Sequence, residues 1–304
     1  MIITGKRRRS LSYLYPWQHR VCIDNKQNSS DLEDYQIKVS ITDSGMIAKM
    51  KEDGGDIRFY AGLTKLSYWI EKKTSSEMVV WVKFPEIPGS STTRIYMYYG
   101  NPSASSESNG ETIFEFFDDF EGTSLDTNWD TTDITVLGVS NSYVHLKASL
   151  GAGRYMTYKG KTFGRDIIVE AKGRSSGANP TTGVALDKSN NALDDGYACQ
   201  YIGHDDASQR ALVVKVASTL NKKATDLGQP TQDSIIKGIV TSDGKVRVEY
   251  YGWDGKNGSY EITNNDYQSG RVGLAVIWDD KEEYYDWIRV RKYTDPEPTI
   301  TIEN

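Results

Sequence analysis

Cysteine is almost missing from this chain. Cys22 and Cys199, one in each half of 304 residues, exclude a disulfide framework and are expected to be buried free thiols. Histidine is nearly as scarce: His19, His145 and His204 stand apart, so neither a Ser/His/Asp triad nor a Cys/His zinc cluster has its parts. No Gly-x-Ser-x-Gly elbow occurs, and no glycine-rich strand-to-helix turn offers a phosphate cradle. Positive charge is in deficit. A net charge of -6 argues against a nucleic-acid platform, which needs a basic excess, and the one basic cluster, Lys6-Arg7-Arg8-Arg9, reads as a solvated N-terminal arm over residues 1–14. Long apolar runs are missing too. There is no stretch of about 20 apolar residues for a membrane span. The basic cluster is followed by "SLSYLYPWQHR", not by a signal-peptide core of about 7–15 apolar residues. A location outside the cell is therefore expected to be reached by another route, such as assembly into a particle released by lysis. Sustained 3.6-residue apolar periodicity is the last absence, and it leaves an all-β protein.

What the chain has instead is 20 tyrosines and 7 tryptophans, rings with an apolar body and a polar tip that suit sandwich cores and sugar-facing surfaces. Period-2 alternation dominates. "YQIKVSIT" sets Tyr35, Ile37, Val39 and Ile41 on one face against Gln36, Lys38 and Ser40 on the other; "LSYWIE", "MVVWVKF" and "RIYMYYG" repeat the signal. About six or seven short strands before residue 101 fit a small antiparallel sandwich over residues 15–103. The polar tract 104–113 then reads as a linker. Beyond it, "IFEFFDDF", "DIIVEAKG", "ALVVKVAS", "KVRVEYYG" and "YYDWIRVRKY" belong to about eleven or more strands over residues 114–293, which suit a larger double-sheet jelly roll. Asp243-Gly244, Asp254-Gly255 and Asn257-Gly258 mark hairpin turns. Pro296 and Pro298 make residues 294–304 an extended tail leading to a final strand or a partner.

Five motifs follow one another in the first part: Trp17 in "YPWQHR", "DGGDIRF" at 53–59, "YWIE" at 68–71, "WVKFPEIP" at 81–88 and "YYGNP" at 98–102. In this order they resemble a domain of unknown function common in bacterial and archaeal surface proteins. That resemblance implies a β-sandwich module without known catalysis. Residues 114–293 resemble, more loosely, the concanavalin-A-like (laminin-G-like) sandwich of lectins and glucanases, through the opening "FFDDFEG" and "LDTNW" and the closing "YYDWIRVRKY". The expected fold is two β sandwiches, a small antiparallel one followed by a concanavalin-A-like jelly roll.

Because the second resemblance includes glucanases, catalysis needs its own test. Retaining glycosidases hold two carboxylates about 5 Å apart, and the resembled enzymes set them out as Glu-x-Asp-x-Glu or Glu-x-Asp-x-x-Glu on one strand. Neither spacing occurs here. The acidic groups in "DDF" at 118, "DDG" at 194, "HDD" at 204 and "WDDKEEYYD" at 278 read as turns or strand ends. A non-enzyme is expected, with a glycoside hydrolase of unorthodox site as an alternative.

The carboxylates suggest a metal instead. Asp286 shares strand parity with Ile288 and Val290, which turns it toward the apolar side, where a lone carboxylate needs a partner. The resembled lectins often hold one calcium between their first and last strands. Carried over, Asp286 is a ligand, and oxygens of Asp118, Asp119 and Glu121 complete the shell. The alternative is a hydrogen bond to Asp286 from a backbone amide or an arginine. The Asp53-Gly54-Gly55-Asp56 turn is too short for an EF-hand loop and reads as turn chemistry.

Sugar C–H faces stack on Trp and Tyr while carboxylates and amides take the hydroxyls. This nominates Trp253, Asp254 and Tyr260 in "YYGWDGKNGSY", and Trp278 and Asp279 in "VIWDDKEEYYDW". Otherwise either tryptophan folds back onto its sheet or docks against the first domain. The expectation is a non-catalytic surface or attachment protein, extracellular or on a virion surface, that recognises cell-surface glycans. It fits a tail fibre or receptor-binding protein of a prokaryotic or archaeal virus, among other surface-structure proteins and as a homo-oligomer, with no nucleic-acid partner. The rival is a structural block of a capsid or filament whose termini, "KRRRSLSYLY" and "PTITIEN", add strands to neighbouring subunits.

Overall fold

The structure, a computed structural model, describes residues 16–132, 134–140, 142–148, 154–177, 180–191, 195–276 and 282–303. The basic arm at residues 1–14 lies outside them. The chain divides into two units, residues 1–114 with 294–304, and residues 115–293.

In the first unit the alternating segments form β1 (Trp17–Asp24), β2 (Leu32–Ile41), β3 (Arg58–Ala61), β4 (Thr64–Leu66), β5 (Tyr68–Lys73), β6 (Met78–Ile87) and β7 (Thr92–Tyr99). One helical turn, α1 (Ser44–Ile47), is capped by the Asp43 carboxylate accepting from Met46 N. In β2 Tyr35, Ile37, Val39 and Ile41 are buried while Lys38 and Ser40 are exposed, as the period requires. The last strand of the chain, β23 (Thr299–Glu303), completes this unit. Its sheets run β23-β1-β7-β3-β4 and β2-β6-β5. They close over Val21, Ile37, Phe59, Val80, Phe84 and Tyr99.

Two stretches join the first unit. The 104–113 tract is docked along the first unit instead of linking freely. Arg58 NH2 donates to Ser105 O at 2.6 Å, Ile70 N to Ser108 Oγ at 2.9 Å and Asn109 N to Tyr68 O at 3.0 Å. The backbone of the tract supplies two of these contacts and the Ser108 hydroxyl the third. The buried Phe114 ring then sets its edge against Trp69 and Trp81. The tail takes the final-strand alternative. β23 pairs antiparallel with β1, Thr301 opposite Cys22, and Ile300 and Ile302 pack on the core, so "TITIE" closes its own chain's sheet. Pro296 and Pro298 precede the paired stretch, where their missing N–H groups cost nothing.

The second unit holds β8 (Phe116–Asp118), β9 (Trp129–Asp130), β10 (Ile134–Ser140), β11 (Tyr143–Ala148), β12 (Arg154–Tyr158), β13 (Ile167–Ser176), β14 (Thr181–Lys188) and β15 (Tyr197–Ile202). It continues through β16 (Ala211–Val216), β17 (Thr219–Ala224), β18 (Ser234–Val240), β19 (Lys245–Tyr251), β20 (Asn257–Thr263), β21 (Arg271–Val276) and β22 (Glu282–Lys292). An eight-stranded sheet, β10-β11-β22-β13-β18-β19-β20 with β8 against β22, faces a seven-stranded one, β17-β16-β15-β14-β21-β12-β9. Val144, Val169, Val184, Tyr201, Val214, Val248 and Leu274 pack between the two sheets. The result is the expected all-β jelly roll. Cys22 and Cys199 are both free and buried. No helix among the described residues is long and apolar enough to cross a membrane.

Candidate functional site

Three loops of the second unit interlock beneath one exposed ring. Tyr201 of β15 and Tyr250 of β19 stack in the core at 4.2 Å. The Tyr201 hydroxyl reaches the loop after β17, donating to Gly228 O at 2.8 Å and accepting from Leu227 N at 2.9 Å. Burial pushes its pKa up to about 12, so the hydroxyl stays a donor throughout the physiological range. Gln229 Nε2 ties that loop to the one after β15 by donating to Asp205 Oδ1 at 2.7 Å. A Cβ on Gly228, whose φ is +79°, would lie 2.8 Å from Asp254 Oδ2, so Asp254 is lodged against a position that must be glycine.

Trp253 lies on this base. Its indole Nε1 donates to Gln229 O at 3.1 Å and its backbone N to Ser234 Oγ at 3.3 Å, while 50% of the residue remains exposed. The ring is fixed in orientation yet half open to solvent. Asp254 accepts from Lys256 N at 3.2 Å. Tyr260 is different: it sits opposite Val248 in β20 and packs against the core, because the strand period turns it inward. Trp278 and Asp279 lie outside the described residues.

The acids nominated for calcium are distributed differently. Asp118 uses both oxygens, accepting Trp129 Nε1 at 2.7 Å and Phe120 N at 2.8 Å. Burial raises its pKa against those two bonds. Glu121 accepts from Ser142 Oγ at 2.7 Å. Asp286 is the extra residue of a β-bulge, since Lys172 faces Trp287 and Gly173 faces Tyr285. The bulge resets the period, so Asp286 does not share the core face of Ile288 and Val290. It accepts from Lys172 Nζ at 2.5 Å, and the same ammonium lies 3.6 Å from Asp233. Burial raises the Asp286 pKa, with Lys172 opposing it and the charges of Asp233 and Asp119 adding to it. A covalently attached ammonium thus stands among these acids. Among the described residues no three acidic, His or Cys side chains form a set that fits a metal ion. Melting in millimolar calcium tests the site: a rise would show that these acids hold the ion despite Lys172, and an unchanged melting temperature that they do not.

A hydrolase would need paired acids on a sheet face. Among its described strand residues the seven-stranded sheet carries two carboxylates, Asp130 in β9 and Asp187 in β14. Asp130 faces Arg271 NH1 at 3.3 Å and accepts from Thr132; Asp187 lies 3.9 Å from Arg165 Nε. Asp130 is paired with Arg271, while Asp187 lies near Arg165 without a hydrogen bond, and the two acids stand beside different arginines.

Residues 53–132 match the domain of unknown function DUF2341. The match opens on "DGGDIRF" and runs past the border between the units at 114/115 to take in β8 and Trp129. No curated protein matches the chain significantly. Among solved structures, a legume lectin-like domain from Entamoeba histolytica is 12% identical, with TM-score 0.42 over 55% of this chain and 91% of its own. A protein of unknown function with a galectin-like fold from Bacillus subtilis is 12% identical, with TM-score 0.45 over 59% and 96%. A β-1,3-glucanase from Mycobacterium marinum is 10% identical, with TM-score 0.40 over 58% and 98%. No residue role passes to this chain from these likenesses.

The five sequence motifs have structural work within the first unit. Asp56 is fully buried and accepts Lys51 N at 2.9 Å and Gly100 N at 2.6 Å, so the "DGGD" turn spends its carboxylate on backbone amides. Arg58 donates to Gly55 O, Ile57 O, Tyr68 Oη and Ser105 O and pairs with Glu107. Glu71 of "YWIE" accepts Trp81 Nε1 of "WVKFPEIP" at 2.5 Å. Gly100 of "YYGNP", at φ +91°, leaves room for the Trp17 ring, which a Cβ would approach to 2.5 Å. The five motifs therefore form one connected knot. Sequence reading missed Asp205, Gln229 and Ser234 as supports of Trp253, and "HDD" at 204 looked like plain turn chemistry.

Proposed function

We propose that this chain is a non-catalytic glycan-recognition and attachment protein whose sugar platform is Trp253. The pinned, half-exposed indole carries the reading. An aromatic face held by a hydrogen bond at its edge offers a sugar ring an apolar surface without losing rotamer entropy on binding. Asp205, Gln229 and Asp254 brace the same three loops and set polar side chains on the loops that carry the ring. Asp130 and Asp187 stand beside different arginines and are not set out as a facing acid pair, which supports a binding role over hydrolysis. We place the protein on an extracellular or virion surface, as a tail fibre or receptor-binding component. Its tyrosine-rich two-sandwich build supports that setting.

A glycan array probed with the full chain tests the reading, followed by titration of any hit. Trp253→Ala is expected to weaken binding by about 2 kcal/mol, roughly 30-fold, with the melting temperature unchanged. Wild-type affinity in the variant would remove Trp253 from the site. An array without a single hit would overturn glycan recognition itself.

A further inference from the structure

The free edges of the first unit differ in how they are protected. β4 is three residues long. β5 shifts register between Ile70 and Lys72 and ends on Lys72 and Lys73. β2 carries Glu33, Asp34 and Lys38, with Asp34 at φ 46°. Short length, bulges and charge are the devices that keep a sheet edge from pairing with another chain. β23 has none of them. Its five residues, Thr-Ile-Thr-Ile-Glu, pair regularly with β1 through five positions, and its single charge lies at the end. Among the described residues no strand lies beyond it. Beside it runs a mostly polar groove of about 580 Å³ lined by Lys38, Ser40, Ile41, Asp43, Ile300 and Ile302.

We propose that a second copy of this chain docks here, β23 against β23, antiparallel about a twofold axis through Thr301. The strand's own alternation selects that occupant. In this register Ile300 faces the second copy's Ile302 on the inner side, so the isoleucine row continues across the contact. Thr301 faces the second copy's Thr301 on the solvent side. Glu303 falls opposite Thr299, so the two carboxylates are kept apart. Any other strand would have to match both the isoleucine and the threonine rows and keep negative charge off that position. Five residues on each side make a small contact, so the dimer forms in a concentration-dependent equilibrium.

Sedimentation equilibrium of the full chain from about 10 μM to 1 mM spans the range expected for so small an interface. The mass should rise from 34.1 kDa toward twice that value. Thr301→Lys sets two lysines opposite each other and should hold the chain monomeric over the same range. Its melting temperature should not change, because Thr301 is exposed. Thr301→Glu should behave alike, and mixing the two variants should restore the dimer. A wild type that stays monomeric, a dimer that survives Thr301→Lys, or a mixture that fails to pair would each overturn the proposal.

Discussion

Glu170→Gln is expected to cost about 3–5 kcal/mol of stability, a large part of what a domain has. Glu170 lies fully buried in β13, on the face of the eight-stranded sheet turned away from Val169 and Ala171. Its carboxylate accepts from Arg289 Nε, from Arg291 Nε and NH2 at 3.2 Å, and lies 3.3 Å from Lys237 Nζ. Burial alone would push its pKa up; Arg289, then Arg291 and Lys237, outweigh that and hold it well below the usual carboxylate range. Glutamine keeps the shape and removes the charge, which leaves two guanidiniums, each 2% exposed, without their counter-ion. Urea unfolding at neutral pH measures the loss. The sign with pH follows from the lowered pKa. Glu170 stabilises fully above its unfolded value of about 4.3, and this is lost as the pH falls toward the folded one. Wild type and variant should therefore converge in acid. A constant gap down to pH 2 would mean that the carboxylate's charge is not what holds the cluster.

Asp187→Asn should show the opposite pH dependence. β14 bulges here, with Ala185 opposite Gly273 but Lys188 opposite Arg271, and Asp187 takes φ 51°. Neither carboxylate oxygen has a hydrogen-bond partner. Arg165 is near, yet its N–H groups already go to Thr241 O, Asn264 O, Tyr267 O and the Tyr197 hydroxyl. Burial pushes the Asp187 pKa up to about 6, with Arg165 pulling it down and Asp195 adding to the rise. A raised carboxyl pKa stabilises fully below the unfolded value of about 3.9, and that contribution is lost as the pH climbs through about 6. Between pH 4 and 7 the wild type should lose up to about 3 kcal/mol relative to the variant. Paired urea titrations at one-unit pH steps give the difference directly. Parallel curves would show that Asp187 is solvated or bonded after all.

The elements that sequence reading recovered are those in which the strand period runs unbroken. Tyr35, Ile37, Val39 and Ile41 declare their face because nothing interrupts β2 between them. Asp286 was misplaced by the same rule, since one bulged residue inverts every parity count that crosses it. Nothing local in "YYDWIRVR" marks the bulge. The partner of Asp187 was equally hidden: Arg165 is 22 positions upstream and meets it through a loop and a bulge. Trp253 could be nominated from its turn residues, but its orientation depends on one carbonyl of a different loop, Gln229 O. The serine-rich tract looked like a linker because its composition does not reveal that Arg58 and Tyr68 wait to bond it.

The pairing of β1 with β23 also orders events during synthesis. Residues 115–293 form a contiguous unit and can fold as soon as they have left the ribosome. The first unit cannot complete its sheet then. Until residues 299–303 are made, β1 has β7 on one side and an open ladder of backbone groups on the other, with Val21 and Ile23 short of the cover that Ile300 and Ile302 provide. The nascent N-terminal half is thus the segment that a chaperone or a neighbouring nascent chain would meet, although it is translated first.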